Sequence, residues 1–212
     1  MEKSTYPIIA KEGWPFLGLS LLVSLVLTFI HSPLSWPAWI ITLFILQFFR
    51  DPQRIKPSGK DIILSAADGK VIAIEKTIDP YRNVEAIKVS VFMNVFNVHS
   101  NKSPVDGKIL EKFYYPGKFL NAALSKASLE NERCAIVIKT KGGKVITCVQ
   151  IAGLIARRIL CYKEKGHNIS SGERYGFIRF GSRVDLYLPI NATIKVDLGQ
   201  TVKNTETIIA KI

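Results

Sequence analysis

Ser182 directly follows Gly181, thirty residues from the C-terminus. A serine hydroxyl in that position can attack the carbonyl just before it. Glycine has no Cβ, so its backbone can take the positive-φ or strained geometry that exposes this carbonyl. Such an attack moves the acyl group from nitrogen to oxygen, and β-elimination then breaks the chain. Hydrolysis of the dehydroalanine left behind gives an N-terminal pyruvoyl group, a cofactor made from the protein itself. Most Gly-Ser pairs are ordinary turns, so the surroundings must carry the argument. The other reactive side chains are Cys134, Cys148 and Cys161. They are odd in number, too widely spaced for a zinc knuckle, and two of them lie in apolar runs. That pattern reads as buried reduced thiols rather than a metal or disulfide set.

The elements that position Gly181-Ser182 read as strands. From Ile62 onward, short β-branched runs are punctuated by Gly, Pro, Asn and Asp, and strands are predicted around Val71 to Ile74, Val84 to Met93, Ala135 to Ile138 and Val145 to Ile151. After Ser182 the alternation is clean. Val184, Leu186 and Leu188 share one face and Arg183, Asp185 and Tyr187 the other, and Ile194, Val196 and Leu198 continue the pattern. One helix is predicted, Lys118 to Leu129, from the spacing of Phe119, Ala123, Leu124 and Ala127. A weak repeat adds a detail: Ser65-Ala66-Ala67-Asp68-Gly69-Lys70 matches Ser103-Pro104-Val105-Asp106-Gly107-Lys108, each an Asp-Gly turn entering a strand. The expectation is a mostly β, barrel-sandwich-like domain with one short helix. The Met-Lys-Met setting of biotinyl and lipoyl carriers is missing from it.

The N-terminal fifty residues differ. Residues 16–30 carry no charge, and a second uncharged stretch runs from Trp36 to Phe49 after a Pro-containing link. Each is shorter than the ~20 residues that comfortably cross a bilayer core. An apolar helical hairpin that dips into the membrane or crosses it twice is predicted over 1–50, with the remaining domain over 51–212. Trp14, Trp36 and Trp39 lie near the ends, where aromatic rings favour the interface, and four basic residues between Arg50 and Lys60 put the following domain on the cytoplasmic side.

The 212 residues hold 29 Lys+Arg against 17 Asp+Glu, a formal net charge of +12. That excess suits an anionic membrane face or nucleic acid. No aromatic-basic interleaving or helix-turn-helix pattern accompanies it, and the apolar hairpin argues against a nucleic-acid partner.

Four segments in register carry a resemblance: Ser65-Ala66-Ala67-Asp68-Gly69, Phe92-Met93-Asn94-Val95-Phe96-Asn97-Val98-His99, Asn131-Glu132-Arg133, and Tyr175 through Phe180-Gly181-Ser182 to Asp185. Together with Phe48-Phe49-Arg50-Asp51-Pro52, they resemble the short, membrane-associated class of phosphatidylserine decarboxylase proenzymes. The resemblance implies self-cleavage between Gly181 and Ser182 into a β chain, 1–181, and an α chain, 182–212, which stay together as a heterodimer. Ser182 would become the pyruvoyl group, whose ketone serves as an electron sink for converting phosphatidylserine to phosphatidylethanolamine, a carbon–carbon lyase reaction of phospholipid biosynthesis. No metal is implied.

His99 is then the proton-transfer candidate, because imidazole has the unperturbed pKa nearest neutrality; a structural histidine is the competing reading. Asp68 matches the family aspartate that assists processing, and is otherwise a turn residue. Longer relatives carry a second histidine three residues after the first, where Lys102 stands here. Either His99 serves both processing and decarboxylation, or strain at Gly181 makes a dedicated base less necessary. Arg157, Arg158, Arg179 and Arg183 flank the reactive segment and are candidates for a lipid phosphate or carboxylate. The alternative to an enzyme is a non-catalytic, membrane-anchored barrel-sandwich adaptor.

Overall fold

The computed structural model describes residues 7–123, 130–154, 158–179 and 181–212. The chain divides into two compact units, Met1–Gln53 and Arg54–Ile212.

In the first unit, two apolar helices, α1 (Trp14–Phe29) and α2 (Ser35–Phe48), form a hairpin. Two polar pairs bridge the helices: Ser24 with Thr42 at 3.0 Å, and Trp39 Nε1 donating to Thr28 at 3.1 Å. The open end is closed by backbone bonds from Ala10 to Phe49 and from Asp51 to Ile8. Sixteen residues rise about 24 Å, short of the ~30 Å hydrocarbon core. Lys11–Phe29 is nonetheless apolar enough to cross a membrane, and only 11% of that window is buried. A helix of a soluble core would bury far more.

The second unit is built from strands. The first five are β1 (Ile62–Leu64), β2 (Gly69–Asp79), β3 (Val84–Met93), β4 (Ser100–Lys102) and β5 (Gly107–Tyr115). Then come β6 (Arg133–Lys139), β7 (Val145–Ala152), β8 (Arg158–Cys161), β9 (Asn168–Ile169) and β10 (Arg174–Arg179). The last four are β11 (Ser182–Pro189), β12 (Thr193–Ile194), β13 (Thr201–Val202) and β14 (Ile208–Lys211). Eight strands form one curled sheet in the order β13-β2-β3-β11-β7-β6-β5-β9, and two three-stranded sheets, β1-β14-β12 and β4-β10-β8, complete the domain.

Strand β11 sits in the middle of the large sheet, antiparallel to both β3 and β7. Val184, Leu186 and Leu188 therefore join the main core, as the alternation predicts. The opposite face is buried as well. Tyr187 packs there with Ala86, Ala135, Val149 and Ile151, and Arg183 makes a two-pronged ion pair with Asp185 at 2.6 and 2.8 Å. With both faces of β11 covered, its polar side chains have to satisfy one another.

The repeat proves to be structural. Ser65 Oγ donates to Ala67 O and Ser103 Oγ to Val105 O, at 2.7 and 2.8 Å. Asp68 accepts from the Asn204 N–H and Asp106 from the Ser171 N–H, at 2.9 and 2.8 Å. The alternation after Ile194 does not continue as a strand: Val196 is buried, but Leu198 lies in a turn and is exposed. Of the helix expected over Lys118 to Leu129, residues 124–129 lie outside the described residues. Lys118 forms a bridge with Asn131 instead, and Leu120 is held at both backbone groups by the Asn131 side chain.

Candidate active site

The reactive pair lies at one end of the large sheet. Ser182 opens β11 and is in register with Met93, the last residue of β3, and with Ala152, the last of β7. Since β3 and β7 both run antiparallel to β11, their exits leave the sheet on either side of Gly181. The first exit carries Asn94–Val98 and then His99. The second carries Gly153 and Leu154.

Gly181 has φ of 61°. That is left-handed backbone, which costs a residue with a Cβ about 1–2 kcal/mol. A Cβ on Gly181 would meet nothing, so the requirement for glycine here is conformational rather than steric. Gly153 is constrained in the opposite way. A Cβ there would land on the Gly181 carbonyl oxygen and come within 2.8 Å of its carbon. The bare backbone of Gly153 thus makes the room that the carbonyl of the Gly181–Ser182 bond occupies.

His99 is fully buried, and its two ring nitrogens have distinct tasks. Nδ1 lies 2.9 Å from the carbonyl oxygen of Asn97, which can only accept. Nε2 receives the N–H of Gly181 at 3.3 Å, which can only donate. These partners select the neutral tautomer with its proton on Nδ1. The lone pair of Nε2 therefore points at the residue whose carbonyl would be attacked. Ser182 is buried too, and its hydroxyl donates to Met93 Sδ at 3.3 Å. A thioether is a weak acceptor. Asn101 Nδ2 approaches the same sulfur at 3.9 Å, and Gln150 Nε2 donates to Asn101 Oδ1 at 2.8 Å, so a small polar cluster backs the serine.

Gly181, Ser182 and His99 are thus brought together, whereas Asp68 is held elsewhere. Arg54 grips both carboxylate oxygens of Asp68, at 2.5 and 2.6 Å, and also bonds Asn204 O at 3.1 Å. Asn204 Nδ2 in turn donates to Ser100 O at 3.2 Å, next to His99. Among the described residues, Asp68 reaches the site through this relay.

A sequence model of the phosphatidylserine decarboxylase family matches residues 41–210. The chain belongs to the phosphatidylserine decarboxylase family. It is 54% identical over 208 residues to a phosphatidylserine decarboxylase proenzyme of Burkholderia ambifaria, covering 98% of this chain and 97% of that one. A proenzyme of Ralstonia nicotianae is 54% identical over 211 residues, with the same coverage. One from Burkholderia vietnamiensis is 55% identical over 208 residues. Membership in a decarboxylase family over nearly the full length disfavours the adaptor alternative.

In this family member, Lys102 is a buried residue of β4, aligned with Arg174 of β10. Of the four flanking arginines, Arg183 is committed to Asp185 inside the domain. Arg158 and Arg179 face each other as register partners of β8 and β10, and Arg157 lies outside the described residues. The three cysteines are free thiols. Burial pushes Cys148 up to about 12, whereas a hydrogen bond from the Cys134 thiol, helped by a backbone hydrogen bond at Lys163 and the charge of Lys112, lowers Cys161 to about 7.

Three residues that shape the site are not evident as such in the sequence. Met93 and Asn131 stand inside the matching segments without an obvious role, and Gly153 had only the signal of a glycine at a strand end. Asn131 is fully buried, donates to Leu120 O and Ala152 O at 2.8 and 2.7 Å, and accepts from the Leu120 N–H at 3.0 Å. It ties the segment after β5 to the exit of β7.

Proposed function

We infer that this chain cleaves itself between Gly181 and Ser182 and then decarboxylates phosphatidylserine to phosphatidylethanolamine with the pyruvoyl group formed from Ser182. The observation that carries the reading is the left-handed Gly181, with its N–H on His99 Nε2 and its carbonyl in the space left by Gly153. The family match supplies the reaction class and the substrate.

In processing, Ser182 Oγ attacks the Gly181 carbonyl carbon, and the Gly181–Ser182 amide becomes an ester. Loss of a proton from Ser182 Cα expels the Gly181 carboxylate. Water then replaces the remaining nitrogen, which leaves as ammonia. His99 Nε2, unprotonated and adjacent, is the base within reach of this segment. Asp68 is a positioning residue in this reading: with Arg54 it fixes Asn204, which holds the backbone at Ser100.

The local surroundings fit a pyruvoyl group at 182. The Ser182 hydroxyl gives its hydrogen only to a thioether, so losing it forfeits little. The position is buried, flanked by Met93 and Ala152. When present, the group supplies a ketone that binds the substrate amine and takes up the electron pair released with carbon dioxide. His99 then holds or returns a proton at Nε2, with Nδ1 fixed by Asn97 O. Residues 1–181 and 182–212 remain paired, because β11 is hydrogen-bonded to β3 and β7 along its length. The hairpin anchors the enzyme in the cell membrane, with the catalytic unit on the cytoplasmic face.

The test is Ser182→Ala in the full chain. It should stay at full length on a denaturing gel and release no carbon dioxide from phosphatidylserine vesicles. A variant that still splits or still turns over removes Ser182 from the mechanism.

A further inference from the structure

The end of the sheet that holds the Gly181–Ser182 bond also displays apolar side chains to solvent. Phe96 is 65% exposed and Leu154 67%, each only a few residues from a group that touches Gly181. Phe96 belongs to a hydrogen-bonded turn. Its N–H is bonded to Asn94 Oδ1 at 2.9 Å, and Asn94 N–H to Asn97 Oδ1 at 2.9 Å, in the same turn whose Asn97 carbonyl orients His99. A third segment converges on this end. Phe119, 39% exposed, sits between Lys118 and Leu120, which are tied through Asn131 to Ala152 O, one residue before Gly153. Hydrogen-bonded turns that hold large apolar groups in water around a reactive centre mark a contact surface.

Charge narrows the partner. Residues 1–53 hold three basic and three acidic residues, so the whole +12 excess belongs to Arg54–Ile212. At the reactive end, Arg158 and Arg179 are direct cross-strand partners, which concentrates positive charge there. Apolar tips among cations fit the boundary of an anionic bilayer, where basic residues meet phosphates and apolar side chains enter the acyl region.

We propose that Phe96, Leu154 and Phe119 form a bilayer-inserting rim on the catalytic unit. It would seat the Gly181–Ser182 end on the anionic leaflet and let the serine head group enter without the acyl chains leaving the membrane. The proposal rests on the lipid substrate inferred above, and it concerns a contact made by the catalytic unit itself, in addition to the hairpin.

The experiment uses the full-length protein on vesicles of phosphatidylcholine and phosphatidylglycerol. The photo-crosslinker p-benzoylphenylalanine is placed at position 96 or 154, with position 78 as the control. Ile78 is also exposed, at 58%, but lies at the opposite end of the sheet, where β2 meets β3. Adducts to lipid acyl chains at 96 and 154, but not 78, are expected, and they should weaken when phosphatidylglycerol is omitted. In parallel, the Phe96→Ser, Leu154→Ser double variant should lose at least fivefold in activity on vesicle phosphatidylserine. It should keep its rate on a dihexanoyl phosphatidylserine dissolved as monomers. Equal labelling at all three positions, adducts to protein instead of lipid, or equal loss on both substrates overturns the rim. If the unaltered protein turns over neither substrate, the decarboxylase reading fails instead.

Discussion

The backbone N–H of Gly181 donates to Nε2 of His99 across 3.3 Å, while Nδ1 of the same ring is held by Asn97 O at 2.9 Å. The lone pair of one neutral imidazole is therefore engaged by Gly181, the residue that precedes Ser182. Replacing His99 with Gln should lower decarboxylation by ~10²–10⁴-fold, the usual worth of a positioned acid–base group. Turnover by mature protein and the rate of chain cleavage should be followed separately. Loss of both means that His99 serves both steps, whereas loss of turnover alone assigns processing to backbone strain.

Gly153 sets the space for the Gly181 carbonyl. Gly153→Ala should slow self-cleavage at least tenfold, because the added methyl and the carbonyl oxygen would claim the same volume. A denaturing gel taken over time gives the rate. Cleavage at the normal rate would mean that the carbonyl is held differently during the reaction.

Asp68 is gripped by Arg54 at both oxygens, and the two side chains are 10% and 9% exposed. Breaking one partner of a pair buried to that degree costs about 3–5 kcal/mol. Asp68→Asn should lower the melting temperature and slow processing together. In Asp106→Asn, whose carboxylate is 58% exposed, the melting temperature should hardly change. If Asp68→Asn abolishes processing while melting stays unchanged, the carboxylate acts in the chemistry itself.

Cys161 should be the one thiol of the three that alkylates readily near neutrality. Its thiolate is favoured first by the hydrogen bond from Cys134, and the folded-state value falls to about 7. Alkylation of Cys161 by iodoacetamide should therefore rise through about pH 7. Cys134 and Cys148, both pushed upward, should stay unmodified. The sign carries over to stability. A thiol lowered in the folded state stabilises it fully above its unfolded value and loses that contribution as pH falls through 7.

Local pattern carried much of this fold. The β-branched runs marked β2, β3, β6 and β7, and the alternation from Arg183 to Leu188 marked β11 with the correct residues in the main core. Pattern could not show that β11 is central or that both of its faces are covered, because those depend on which strands flank it and which side chains pack over it. It also did not anticipate the bridge at Lys118, since Asn131, eleven residues beyond Leu120, takes both of that residue's backbone groups. In the site, Ser182, Gly181 and His99 were legible from residue type and matching segments. The partner of Asp68 was not. Arg54 is fourteen residues away in the chain and Asn204 far beyond, so only the tertiary fold brings them together. Gly153 was hidden for the same reason: its meaning lies in a carbonyl from another strand.

The most direct measurement is the intact mass of the purified full-length protein, before and after borohydride reduction. Two chains are expected, 1–181 and 182–212, with the smaller one lacking a free amine and gaining mass on reduction as its ketone becomes an alcohol. Fully active protein that runs as one uncut chain, with an unmodified serine at 182, would contradict it.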